Sequence, residues 1–214
     1  MNLSRILVLP LLCVVVQPTP AALDPDVARE LALAQTHHAD LDHRRRAYAW
    51  LGEVANAGDL PILLVALYDE DIIVRANAET SVWQVWSRSG DVAADELFQV
   101  GLTQMQRGEL LDAVETYTRL IKLKPSFAEA WNKRATLYFL LENYPASIED
   151  CDEVLKRNPQ HFGALAGYAQ ILLRNHHPRR ALEYFERALA INPNMGGVES
   201  AVDALHALLK DEDI

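Results

Sequence analysis

Cysteine is almost missing, with two in 214 residues. Cys13 lies in a leading segment expected to be removed, so Cys151 is left as a single thiol that cannot close an intrachain disulfide. Stability then has to come from packing. Basic charge is also short: 20 Lys and Arg stand against 30 Asp and Glu, for a net charge of −10 and a pI near 5.1. That balance argues against a nucleic-acid partner and against an anionic membrane surface, both of which need a basic face. The densest basic run, Arg44-Arg45-Arg46, follows Asp40 and Asp42 in a helical stretch and reads as a solvated face. There is no glycine-rich phosphate loop, no Gly-x-Ser-x-Gly elbow, no Cys-x-x-Cys pair and no His-Glu-x-x-His pattern. What is plentiful is apolar surface, at 50% of residues, enough for a sizeable core.

The first residues form a separate class. Arg5 precedes an apolar stretch from Ile6 to Val16, which ends in Gln17-Pro18-Thr19-Pro20-Ala21-Ala22. The order of charged, apolar and small residues is that of a secretory signal peptide, and the stretch is too short to span a bilayer. Residues 1–22 are therefore expected to be a signal, and the mature chain to be exported and periplasmic. Anchoring of a lipid at Cys13 is disfavoured by Leu12, where a small side chain would be needed.

Beyond it the chain repeats. Pro125, Pro159 and Pro193 are spaced 34 residues apart in the phrases Leu-Lys-Pro, Arg-Asn-Pro and Ile-Asn-Pro. The same offset joins Ala113, Ser147 and Ala181, then Tyr117, Cys151 and Phe185, then Leu120, Val154 and Ala188. Small side chains let two antiparallel helices approach, and bulky ones a turn later fill the space between them. Gly101, Ala135 and Ala169 are the matching small positions on the partner helices. Trp131, Ala135 and Tyr138, with Ser147, Cys151, Val154 and Pro159, resemble the two-helix signature of the tetratricopeptide repeat (TPR) family. The resemblance covers about half the chain, as units 94–127, 128–161 and 162–195. The first departs from it at Gln104, and the third at Leu165 and Leu172.

Upstream, Asp40 and Asp71, Arg44 and Arg75, Ala47 and Ala78, and Leu51 and Val82 are each 31 residues apart. With Leu60-Pro61-Ile62-Leu63-Leu64 they resemble a HEAT-like helical repeat over residues 23–90, a family in which a turn aspartate and an arginine tie neighbouring units. Trp83 and Trp86 are expected to seal that segment against the first tetratricopeptide hairpin. Downstream, Val198, Ala201, Val202, Leu205, Leu208 and Leu209 fall on one stripe, a capping helix for the stack, within a last segment of 196–214 that ends in an acidic tail. The expected fold class is all-α: a right-handed α-solenoid of stacked helical hairpins, three TPR units preceded by HEAT-like helices and closed by that cap.

No residue set suggests chemistry. His38 and Asp42 could offer two metal ligands from one helix, but the sequence identifies no third. His176-His177 falls in a turn, and His161 and His206 have no partner that the sequence reveals. Cys151 sits in the interior register and is expected to be inert, and the acids Glu149-Asp150 and Asp152-Glu153 to be the wet side of their helix. No catalytic, metal or cofactor residue is assigned. The resemblance instead implies a concave groove lined by the first helix of each hairpin, where a partner peptide lies. Its registers fall on Phe98, Leu102 and Met105, on Asn132, Lys133, Thr136 and Phe139, and on Ala166, Gln170 and Leu173. The carboxylate clamp known in the family would use the registers of Phe98, Leu102, Lys133, Gly163 and Gly167, and only Lys133 suits it. The expectation is a non-catalytic adaptor of the cell envelope, holding a protein or peptide segment by apolar anchors, with no nucleic acid and no stable membrane insertion. The alternatives are a structural subunit of an envelope assembly, with oligomerisation open, and an enzyme with unrecognised histidine chemistry.

Overall fold

The computed structural model describes residues 23–212; the expected signal segment, with Cys13, lies outside the described residues. Those residues form eleven α-helices and one short 3-10 turn at Ala57–Asp59, with no strand among them. No helix among them is long and apolar enough to cross a membrane.

Helices α1 (Pro25–Gln35), α2 (Leu41–Val54), α3 (Leu60–Ala66) and α4 (Ile72–Trp86) make an N-terminal block in which α2 packs on both α1 and α4. Its 31-residue register has a local cause. Asp40 and Asp71 are the N-caps of α2 and α4, each accepting from two backbone N–H groups of the first turn. Arg44 and Arg75 each donate to the carbonyl six residues back, at His38 and Asp69, and so close the turn before the helix. Ala47, Ala78, Leu51 and Val82 form the buried seam. Arg45 is not a solvated residue: it grips Asp71 with two hydrogen bonds of 2.9 and 2.6 Å and ties α2 to α4. A similar pair, Arg29 with Asp59, ties α1 to the turn before α3.

Three hairpins follow: α5 (Val92–Gln106) with α6 (Leu110–Leu123), α7 (Ala128–Leu140) with α8 (Tyr144–Arg157), and α9 (Phe162–Arg174) with α10 (Pro178–Leu189). The small residues Ala113, Ser147 and Ala181 are all buried, and the Ser147 hydroxyl donates to the Ala135 carbonyl across the second hairpin. Each hairpin turns through a left-handed residue, Gly108, Glu142 and His176, at φ +73°, +58° and +58° and 34 residues apart. The residue after each returns a hydrogen bond to the carbonyl five positions earlier, which ends the first helix. Between hairpins, the indole of Trp131 donates to the Pro125 carbonyl and meets the guanidinium groups of Arg134 and Arg157, 5.2 and 4.6 Å from its ring centre. The last helix, α11 (Gly196–Glu212), packs on α10 through Val198, Leu205 and Leu209, while Leu208 stays half exposed.

The N-terminal block does not extend the stack from its first hairpin, which corrects the expectation for the two tryptophans. Trp83 and Trp86 pack against His161 and Phe162 at the start of α9, in the third hairpin. One hydrophobic core accordingly runs from the block through Phe162, Leu165 and Leu172 to Leu205, whereas the first hairpin shares a separate core with α7 around Phe98, Tyr117 and Leu137. Polar contacts fix the same docking. Tyr68 donates to the Ala190 carbonyl, Arg75 to the Asn194 side chain, and Asn194 in turn to the Leu67 carbonyl. The chain thus folds back, and the tryptophans of α4 reach the start of α9.

Candidate functional site

The first helices of the second and third hairpins enclose a cleft of about 80 Å³. Asn132, Thr136 and Phe139 of α7 form one wall, Gly163, Gly167 and Gln170 of α9 the other, and Ser147 and Cys151 of α8 are at its base. The walls are chiefly neutral. Phe139 supplies an aromatic face, the exposed Gln170 a carboxamide, and Gly167 an opening, because a Cβ there would meet no atom within 4 Å.

Of the residues expected to line the groove, Asn132, Thr136, Phe139 and Gln170 are brought together here. Five others are not available to a partner in the way expected. Phe98 is 0% exposed, packed edge-on against Tyr117 and tilted on Phe127, because it shares a helix face with Ala94 and Gly101 and that face turns toward α6. Leu102 and Met105 lean on the same first-hairpin core and are partly buried. Leu173 lies beyond the cleft, in a hollow it shares with His177, Arg180 and Leu208. Ala166 is buried.

Beneath the cleft lies a charged network that no local pattern in the sequence announces. Glu129 is buried, accepts from the Asn132 amide at 3.0 Å, and pairs with Lys133 at 2.9 Å. Its other contact is His161, fully buried, with Nε2 2.8 Å from the carboxylate. His161 Nδ1 accepts from the Ala164 N–H and caps α9, so the ring proton sits on Nε2 and is donated to Glu129. Burial pushes the Glu129 carboxyl up, but His161 and Lys133 outweigh it and hold the acid below the ordinary carboxylate range. Trp86 stacks on the His161 ring with centroids 4.3 Å apart, which seals the network. The Lys133 ammonium also lies 5.8 Å from the Trp83 ring centroid. Lys133 is therefore committed within the molecule and is not a free cation of the groove.

Other candidate groups are structural as well. Asp150 is buried, contrary to the expectation of a wet helix face, and receives two hydrogen bonds from Arg134 at 2.8 and 2.7 Å. The Cys151 thiol is pushed up to about 12, first by burial and then by Asp150 and Asp152, which leaves it a poor nucleophile. His38 stacks on His43, and its Nδ1 accepts from the Asp40 N–H. His206 faces Glu186 at 3.2 Å.

Family models of the tetratricopeptide repeat match residues 128–161 and 162–195. A TPR repeat-containing protein of Rhizobium etli is 38% identical over 108 residues, covering 50% of this chain and 53% of that protein. A small glutamine-rich tetratricopeptide repeat-containing protein of Dictyostelium discoideum is 29% identical over 110 residues, covering 50% of this chain and 33% of its own length. The chain thus spans between a third and about half of these relatives. Among solved structures, the first TPR of Spaghetti bound to an HSP90 peptide aligns with a TM-score of 0.53 at 20% identity, over 55% of this chain and 93% of that one. The type III secretion chaperone SycD of Yersinia enterocolitica, in complex with a peptide of the translocator YopD, aligns with a TM-score of 0.53 at 15% identity, over 55% and 95%. At these identities the structures speak for the fold.

Proposed function

We propose, on the premise that this chain is a tetratricopeptide repeat protein, that it is a non-catalytic adaptor and holds a peptide segment of another protein in the cleft between α7 and α9. Tetratricopeptide domains are protein-interaction modules, and solved neighbours of this one hold peptides. The observation that carries the reading is the cleft itself: neutral, with Phe139 for an apolar side chain, Gln170 for a backbone amide, and an unfilled space over Gly167. Asn132 and Thr136 frame it, with the Asn132 NH2 and the Thr136 hydroxyl already donating within α7.

Gly167→Leu is the direct test. It fills open space in a helix whose backbone accepts any residue there, so folding is expected to be unharmed. Used as bait in an envelope extract, the variant should lose the protein captured by the unaltered chain, with an unchanged melting temperature. Equal capture by both baits would remove the cleft from the function. Export of the mature chain is part of the proposal, supported by the order of residues in 1–22, and N-terminal sequencing of the mature protein checks it.

A second reading, a subunit of an envelope assembly, is favoured by apolar side chains left exposed on the first hairpin: Val92 at 77%, Leu111 at 72% and Val100 at 48%. A sedimentation mass that rises with concentration and falls on Leu111→Glu would select it.

A further inference from the structure

The structure points to Trp83 as a resident occupant of the groove. We propose that the partner segment carries an aromatic residue which takes the place of the Trp83 indole on Gly163. The inference rests on the reading of the groove as a peptide site and names the side chain that the site selects.

The seat is built for one ring. A Cβ added at Gly163 would stand 2.4 Å from Trp83 Cη2, so the glycine gives the indole its place against α9. Around that ring, His161 and Phe162 present themselves edge-on with centroids 5.5 and 5.2 Å away, and Lys133 lies 5.8 Å from its centre. A cation at the ring and two neighbouring rings at steep angles favour an aromatic guest over an aliphatic one. Gly163 also lines the cleft with Gln170 and Phe139, so the seat continues the groove.

The two tryptophans of α4 divide the work. Trp86 is 8% exposed and stacked on His161, and it holds the block in place together with the Tyr68, Arg75 and Asn194 hydrogen bonds. Trp83 is only half-buried, and beside it opens a wide cleft of about 550 Å³ that reaches Gln99 on α5. The indole can swing into that space while the block stays docked. Exchange then replaces one ring by another, whereas lifting the whole block would uncover the continuous core shared by α4 and α9.

The probe is the acetylated, amidated tripeptide Gly-Trp-Gly, titrated into the full chain and into its Trp83→Ala variant. If the native indole is seated about nine-tenths of the time, the variant binds the probe about tenfold more tightly, because competition from the resident ring has gone. The matching Gly-Leu-Gly peptide should show no such gain, and Gly163→Leu added to Trp83→Ala should abolish it. In the unaltered chain, saturating Gly-Trp-Gly should move the Trp83 indole N–H resonance to an exposed position, and that of Trp86, whose ring it meets edge-on at 5.3 Å, by less, a readout that does not depend on any variant folding. A Trp83 resonance that does not move, or an equal gain for the leucine peptide, overturns the proposal. Loss of the natural partner with Gly167→Leu, alongside no gain in Trp83→Ala, would keep the groove and reject the aromatic seat.

Discussion

Arg134 and Asp150 show how a single residue pair is committed at this fold's interior. Their side chains are 14% and 4% exposed, bridged twice, and Arg134 also donates to the Thr118 hydroxyl on α6. Removing one partner strands a buried charge, so Arg134→Gln is expected to cost about 3 kcal/mol in urea unfolding. The double change Arg134→Met with Asp150→Leu should recover most of it. A cost under about 0.5 kcal/mol for the single change would place the pair in water. Burial outweighs Arg134 and leaves the Asp150 carboxyl above its ordinary value, so the loss of stability on acidification comes from other groups. Burial works to raise Asp59 and Glu129, but Arg29 and the Asn56 N–H hold the first below its ordinary value, and His161 and Lys133 the second. Asp71 is lowered too, by Arg45 first. A carboxyl depressed in the folded state adds stability that is complete above its unfolded value and is lost as pH falls through the folded one. The melting temperature should therefore be level from neutrality to about pH 5 and decline below about pH 4. A rise on acidification would contradict these assignments.

At the scale of helices and turns, the sequence was readable wherever the cause was local. The 34-residue period is the period of a turn with a left-handed residue, and the 31-residue one is the period of an aspartate N-cap with its arginine. Both are set within a few residues of chain. Glu142 and His176 hold positive φ without being glycine, a strain that Gly108 avoids in the first hairpin. Glu142→Gly and His176→Gly should each stabilise by about 0.5–1 kcal/mol, seen as a rise in melting temperature of a few degrees. A fall in either would mean that the side chain makes a contact worth more than the strain. Register on a helix face was harder to read than the period. Phe98 is in the interior because one step along a helix turns a side chain by about 100°, and a groove register and a core register differ by little more. The neighbour of Trp83 is hidden from the sequence for another reason: its contact with Gly163 spans 80 positions, and no local period encodes which hairpin a distant helix will meet.

The whole molecule is a stack bent back on itself, its N-terminal block covering the third hairpin. Helix α9 is buried through Phe162, Leu165, Tyr168, Ile171 and Leu172, mainly against α8 and α10, and the block meets it at its start, on His161 and Phe162. A chain starting at Val92 would uncover His161 and Phe162, and it is expected to melt at lower temperature and to aggregate at concentrations where the full chain stays dispersed. Equal behaviour of the two would mean that the block adds little to the stack. On the proposed reading, the block at the start of α9 shortens the groove from one end and leaves a partner to α7, the open edge of α9 and α4. A photoreactive benzoyl-phenylalanine at Gln170, compared with one at the exposed Glu115 on the outer helix α6, tests this most directly. With the envelope extract as the source of partner, a single cross-linked species should form from position 170 and none from 115. The reverse pattern, adducts from the outer helix and none from Gln170, would contradict the cleft as the place where this protein holds its partner.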